Sequence, residues 1–445
     1  MTPELPEIIK RNGESVPFDR ERIGVAIYKA TAAVGTHDRE LAAAATDDVV
    51  AALAQAYSKE EPATVEDIQD TVERVLIRRG NADVAKAYIV YRHERAKMRS
   101  GRRIVGGGNI PYREMWQALD WAVDNDCHTV EALNRTVRKG RLPQLIEASE
   151  ARYAASIREA AAAILARRDE LRFIIVAGPS SSGKTSTTHK ISEHLAAAGV
   201  PAVPLALDNY FFDLELHPGD EFGDRDFETP EALDLGLINE HLAAIDAGEP
   251  IAMPTYDFKT GQRGDETTRF EVAPGTLVVL DTLHGLFEPL TASVPESHKF
   301  KLYIETISQL KDDEGRYARW TDLRMLRRMS RDLLYRAFDP EQTILHWHYV
   351  RRSELKHIIA HQAQADFHLN GALAYEWPYL KLHCERHLTP FLEKWRHDEK
   401  RLDGYIRARR VHELLSSIDS VTDESLVPAD SVLREFIGGS IYDLH

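Results

Sequence analysis

Four stretches in the first hundred residues carry apolar side chains at spacings of three and four: "DRERIGVAIYKATAAV", "RELAAAATDDVVAALAQAY", "TVEDIQDTVERVLIRR" and "ADVAKAYIVYRHERAKM". That spacing buries one face of a helix, so four helices are expected. Thr64 stands where the third helix needs an N-cap, and Gly80 follows its last turn. Ahead of them, "EIIKR" and "ESVPF" flank Asn12-Gly13 and predict an antiparallel hairpin over residues 7 to 18. The stretch "RSGRRIVGGGNIP" is basic and glycine-rich, as a hinge would be. Residues 112 to 170 read as helical. From Leu171 short apolar runs alternate with helical segments: "RFIIVAG", "VPAVPLALD", "GTLVVLDT" and "FKLYIE". Strand-helix alternation implies a parallel sheet covered on both faces. Beyond about residue 395 a charged helical stretch leads into "PADSVLREFIGGSIYDLH". The expected divisions are a small domain over 6–98, a helical linker over 99–170, an α/β domain over 171–395 and a helical extension over 396–445.

A chain of 445 residues fits two or three domains. Its 56 basic and 71 acidic residues leave a formal charge of −15, which argues against a general nucleic-acid or anionic-membrane binder. Two distant cysteines, Cys127 and Cys384, exclude a disulfide framework and suit a reducing compartment. "MTPELPEIIK" lacks the apolar stretch of a signal peptide, and no apolar run reaches the ~20 residues that span a bilayer. A cytoplasmic protein is expected.

The strongest chemical signal is "GPSSSGKT" between a buried strand and a helix. Gly178, Pro179, Ser180, Ser181, Ser182, Gly183, Lys184, Thr185 and Ser186 form a phosphate loop of the G-x-x-x-x-G-K-[ST] pattern. Its glycines let backbone N–H groups point inward at the positive end of the helix. Lys184 can bridge the outer phosphates of ATP, and the Thr185 hydroxyl can ligate Mg²⁺. Asp208 and Asp281 stand at strand ends, on the sheet edge where ligands of open α/β sheets bind. One such carboxylate can deprotonate an attacking hydroxyl, and the other can hold Mg²⁺; strand-end aspartates are also common turn formers. In "DLRMLRRMSRD", Arg324, Arg327, Arg328 and Arg331 recur at helical spacing. That basic face can close over a triphosphate or lie solvated.

From about 171 to 395 the chain resembles the phosphoribulokinase/uridine kinase family of P-loop kinases, and within it a bacterial uridine kinase-like branch. The matching blocks are "AGPSSSGKTS", "LDNYF", "DRDFETPEALDL", "MPTYDFKTGQR", "TLHGLFEPLT", "RWTDLRMLRRMSRD" and "NGALAYEWPYLK", with "DSVLREFIGGS" in the tail. The resemblance implies a central parallel sheet and a mobile lid, ATP with Mg²⁺, and Asp208 as the base on a sugar hydroxyl. It puts Thr185 and Asp281 at the metal, and Tyr210, Phe227, Glu228, Tyr256 and Arg263 at the acceptor pocket. It makes Arg327, Arg328 and Arg331 the lid arginines. Two positions depart from the uridine kinase pattern. Asp281-Thr282 replaces a Glu-Gly pair, and Gly261 stands near the place of a histidine associated with base recognition.

Residues 7 to 98 resemble the ATP-cone, the regulatory nucleotide-binding module of ribonucleotide reductases and their zinc-ribbon repressor. The residues are "IIKRNGESVPFDRERI", "PATVEDIQDTVERVLIRRG" and "VAKAYIVYRHERAK". The match implies Ile9, Lys10, Arg11, Arg22 and Thr64 as nucleotide contacts; Lys10 and Arg11, beside a tight turn, can reach a triphosphate. The repressor's four zinc cysteines are missing. The expected fold is therefore an α/β P-loop kinase with a central parallel sheet, preceded by a mostly helical ATP-cone with a short β-hairpin. The expected activity is transfer of the γ-phosphoryl group to a hydroxyl, most naturally of a nucleoside. ATP or dATP at the cone would act as effector through residues 99–170 in a homo-oligomer. A kinase of another sugar, polyol or sugar phosphate is the alternative, as is a purely nucleotide-sensing protein. "HCERH" and "HWH" place His383, Cys384, His387, His346 and His348 in spacings that match no zinc pattern.

Overall fold

The computed structural model describes residues 7–9, 15–34, 36, 38–58, 62–88, 111–217, 228–257, 260–336 and 338–442. The chain forms two compact units, over residues 1–106 and 107–445.

In the first unit, β1 (Glu7–Ile9) pairs antiparallel with β2 (Ser15–Pro17), Ile8 opposite Val16. The Asn12-Gly13 turn lies outside the described residues. Helices α1 (Arg20–Ala33), α2 (Arg39–Ala56), α3 (Val65–Arg78) and α4 (residues 82–88) follow. Their spacing of apolar residues delivers Ile27, Val49, Leu53, Val72 and Leu76 to one core. Thr64 caps α3 as its sequence position predicts: its hydroxyl accepts from Asp67 N–H at 3.2 Å while the Asp67 carboxylate accepts from Thr64 N–H at 2.8 Å. Gly80, at φ +78°, lets the chain turn away.

The second unit begins with α5 (Tyr112–Asp124), α6 (Val130–Arg138) and α7 (Leu142–Leu165). Next come β3 (Phe173–Ala177), α8 (Lys184–Ala197), β4 (Ala202–Leu205), α9 (Leu235–Asp246), β5 (Ile251–Asp257), β6 (Gln262–Phe270), β7 (Leu277–Thr282) and β8 (Lys299–Glu305). Then follow α10 (Trp320–Tyr335), α11 (Pro340–Ser353), β9 (Phe367–Asn370), α12 (Glu376–Trp395), α13 (Leu402–Ser417) and the one-turn α14 (Arg434–Ile437). The sheet runs β4-β7-β3-β8-β9, all parallel. Every residue of β3 is buried, as a strand covered on both faces must be. Ile174 and Val176 face a core that also holds Tyr153, Ile157 and Trp377, while Phe173 and Ile175 face one with Ile238 and Leu242.

Two features depart from the sequence reading. The fifth strand, "FHLN", and the β5–β6 hairpin were not anticipated; the first is short and half polar, and β6 is an exposed, charge-rich ribbon. Residues 99–110 of the expected linker lie outside the described residues, and those from 112 to 165 do not stand apart. Ile146, Tyr153 and Ile157 of α7 share the sheet's main core, as do Val411 and Leu415 of the expected C-terminal extension. Tyr153 Oη lies 2.7 Å from Thr187 Oγ1 on the phosphate-loop helix. Among the described residues no helix is long and apolar enough to cross a membrane.

Candidate active site

Strand β3 ends at Ala177 and the loop 178–183 carries the chain into α8. Two glycines are fixed by geometry. Gly183, the N-cap of α8, sits at φ +94°, and a Cβ there would lie 2.5 Å from Val432 Cγ2. A Cβ on Gly178 would lie 2.3 Å from the Ile304 carbonyl oxygen. Lys184 is folded back so that its ammonium donates to the Pro179 carbonyl at 3.2 Å. Burial pushes its pKa down, against the attraction of Asp281 and Glu435.

The strand order puts β7 beside β3 and β4 on the far side of β7, and the parallel strands bring the two expected carboxylates to the edge that carries the loop. Asp281 is paired with Val176 in the sheet and accepts a hydrogen bond from Thr185 Oγ1 at 3.0 Å. Burial pushes its pKa up to about 6, opposed by Lys184. Asp208 lies just past β4, in the turn Leu207–Tyr210. Burial raises its pKa also, with Arg336 and Lys184 pulling the other way. Both carboxylates line one cleft of about 800 Å³ with Lys184, Thr185, Glu228 and Arg331. The paired hydroxyl and carboxylate oxygens of Thr185 and Asp281, set against a buried ammonium, are the hard donors that Mg²⁺ takes, so the residues fit that ion.

The arginines of α10 divide. Arg328 faces the cleft, donating to Glu228 at 2.7 Å and to Ser180 Oγ at 3.3 Å. Arg331 faces it too, paired with Asp332 at 2.9 Å. Burial alone would raise Glu228, but the charge and hydrogen bond of Arg328 outweigh it and hold the carboxyl low. Arg327, expected among the lid arginines, is fully buried instead. It binds Glu376 at 2.6 Å and donates to the carbonyls of Gly371 at 2.7 Å and Ser182 at 3.2 Å. Arg324 likewise pairs with Glu305 and Glu354 and donates to the Ser180 carbonyl at 3.1 Å. These two brace the loop from beneath, and the helix carrying them is packed into the core rather than raised as a lid.

The expected acceptor residues also need correction. Tyr210 is fully buried with its hydroxyl on His241 Nδ1 at 2.9 Å. Arg263 is spent on Asp234 at 3.0 Å and on the carbonyls of Tyr210 at 2.8 Å and Phe211 at 3.2 Å. Tyr256 packs on the Phe211 ring. All three shore up the turn that carries Asp208 and do not line the cleft. Phe227 lies outside the described residues, and Glu228 lines the cleft as expected. The sequence reading missed Phe211, Arg336, His346 and Glu435, which line it too. Phe211 sat within a quoted block and Arg336 lies four residues beyond Asp332, so both were findable. Glu435, in a tail with no chemical pattern, was not.

In the first unit, Ile9 donates to the Ala63 carbonyl at 3.0 Å and forms a bridge with Thr64, so these two expected contacts are adjacent. Arg22 is exposed and pairs with Asp19 at 3.0 Å. Lys10 and Arg11 lie outside the described residues. His383 pairs with Glu424 at 2.7 Å and Cys384 is buried with its thiol pushed up to about 12. Among the described residues no three histidine, cysteine or acidic side chains are grouped to hold a metal.

Comparison with known proteins gives two family matches. The ATP cone domain matches residues 6–97, and the phosphoribulokinase/uridine kinase family matches residues 173–370. A uridine kinase of Deinococcus deserti is 31% identical over 196 residues, 44% of this chain and 85% of that protein. A uridine kinase of Chloroflexus aurantiacus is 31% identical over 169 residues, 38% of this chain and 71% of that protein. The solved structure of a possible uridine kinase from Bacillus stearothermophilus is 11% identical at a TM-score of 0.31, covering 45% of this chain and 89% of that one.

Proposed function

The chain belongs to the phosphoribulokinase/uridine kinase family and carries an ATP-cone, and from that premise we propose that it is a nucleoside kinase whose activity the cone regulates. The observation that carries the catalytic half is the meeting of Asp208 with Lys184, Thr185 and Asp281 in one cleft. The nucleotide's phosphates lie on the N–H groups of the loop, with Lys184 on the outer ones. Thr185 and Asp281 would hold Mg²⁺, which supplies charge screening for the phosphates when bound. Asp208 accepts the proton of the acceptor hydroxyl as its oxygen attacks the γ-phosphorus and ADP leaves. Burial makes Asp208 a stronger base than an exposed aspartate. Arg328 and Arg331 lie where charge on the transferring group can be neutralised.

A nucleoside is the acceptor this reading favours, because relatives at 31% identity are uridine kinases. One observation favours a second reading. Arg336 is crowded by the charge of Arg331 and lies near enough to Asp208 to pull on its pKa, so the base sits in cationic surroundings. An acceptor that itself bears a phosphate would suit that side of the cleft. Incubation with γ-labelled ATP and a panel of nucleosides, deoxynucleosides and sugar phosphates separates the two: label is expected in a nucleoside monophosphate, and label in a sugar bisphosphate would replace the first reading with the second.

For the cone, the support is its family match and the adjacency of Ile9 and Thr64. ATP or dATP bound there biases the kinase, with a coupling of about 1–3 kcal/mol, or ~5–150-fold in affinity. Adding dATP to the full chain and to a chain lacking residues 1–106 tests this: a response in the first and none in the second is expected, and equal responses would refute it.

A further inference from the structure

The tail returns to the phosphate loop. Thr187 is the first residue of α8 to bond back, to the Gly183 carbonyl at 3.0 Å, so the N–H groups of Lys184, Thr185 and Ser186 have no partner within the helix. One of them is taken by the protein itself. The Glu435 carboxylate accepts from Ser186 N–H at 3.3 Å and from Ser186 Oγ at 2.7 Å. Glu435 is buried, yet it lines the cleft beside Lys184 and Thr185. Its neighbours hold it there. Leu433, Phe436 and Ile437 are buried, Phe436 lies 4.9 Å under the Arg327 guanidinium, and Val432 meets Gly183. Ser431 Oγ bonds Tyr375 Oη at 2.9 Å and Lys190 pairs with Asp430 at 2.7 Å. Directly after Glu435's turn come Gly438 and Gly439, at φ +91° and +77°.

We infer that Glu435 is a resident anion on the phosphate-loop helix, and that the incoming nucleotide phosphates displace it. The donors it occupies are those that a phosphate takes at such a helix start, and two anions on one N–H and one hydroxyl repel each other. Glu435 thereby sets nucleotide affinity, and binding of the triphosphate loosens the tail. This rests on the loop being the ATP site. ATP binding left untouched by Lys184→Ala would fail that reading, because the cone alone would then account for it, whereas binding lost in Lys184→Ala but unaltered in Glu435→Gln would fail this inference alone.

The test is calorimetric binding of ATP, with and without Mg²⁺, to the full chain, to Lys184→Ala and to Glu435→Gln, with adenosine as control. The amide keeps an oxygen for Ser186 and removes the charge. ATP is expected to bind the variant roughly tenfold more tightly under both conditions, and adenosine equally well. Unchanged or weaker ATP binding would overturn the inference, as would an equal shift for adenosine. Hydrogen exchange on the wild-type chain gives a second reading that needs no variant. ATP is expected to raise exchange in residues 431–437, and added protection there would overturn the inference.

Discussion

The two sides of the cleft are built differently. The loop side is one contiguous run, residues 178–186, fixed between a buried strand and a helix. The facing side is gathered from Asp208, Glu228, Asp281, Arg331 and Arg336, which four separate segments bring together. On the loop side backbone groups would do the binding in the proposed reading, so spacing alone specifies it. On the facing side single side chains would act in that reading, and the same residue type serves two ends. Arg327 and Arg331 are one helical turn apart on α10, yet Arg327 is sealed under the loop and Arg331 lines the cleft.

Removing the proposed base separates the two sides most sharply. Asp208→Asn is expected to cut turnover by about 10²–10⁴-fold while ATP affinity stays within a few-fold. In the wild type, kcat/KM should fall as pH drops through the raised pKa of Asp208, because the protonated carboxyl cannot accept the hydroxyl proton. Turnover retained in Asp208→Asn would show that the facing side is not where the proton goes.

The loop side should break through folding. Arg327→Ala leaves Glu376 buried without its partner, which costs roughly 3–5 kcal/mol in denaturant unfolding. If stability were unchanged, the inner arginines would not be the loop's support.

Asp281 lies between the sides and is expected to trade stability for its site. Its pKa is raised from 3.8 to about 6, so it is neutral in folded and unfolded chains below about pH 4. Between about pH 4 and pH 6 the unfolded chain gives up this proton while the buried group keeps it, so stability falls by at most about 3 kcal/mol and levels off above 6. Asp281→Asn should therefore gain more in melting temperature at pH 8 than at pH 4.5. An equal gain at both would remove the buried charge from the account.

The smallest effect belongs to Arg331→Ala. It should lower kcat about tenfold with little change in unfolding, the reverse of Arg327→Ala. Similar behaviour of the two variants would erase the distinction drawn along α10.

How far the sequence foretold this follows from the same contrast. The loop, its strand and the Thr64 cap were legible because each is local: a motif, an apolar run, a capping residue at its place. Asp208 and Asp281 were legible because strand ends meet at one edge of a parallel sheet. Tyr210 and Arg263 were assigned to the acceptor by resemblance, yet His241 and Asp234 hold them in the scaffold. Nothing within "LDNYF" or "YDFKTGQR" marks partners from a distant helix. Nor does "REFIGGS" announce that its glutamate sits on Ser186, 249 residues away in sequence. The α7 helix looked like a linker because its alanines are weakly amphipathic, and only the packed core shows which face is buried.

The central claim is that the loop side holds ATP while Asp208 activates the acceptor. The most direct test is transfer from γ-labelled ATP to uridine, cytidine, their deoxy forms and sugar phosphates, run side by side on wild type and Asp208→Asn. The account predicts a labelled nucleoside monophosphate from the wild type and at least about a hundredfold less from the variant at matched ATP occupancy. No labelled acceptor from a wild type that binds ATP, or equal product from both proteins, would contradict it.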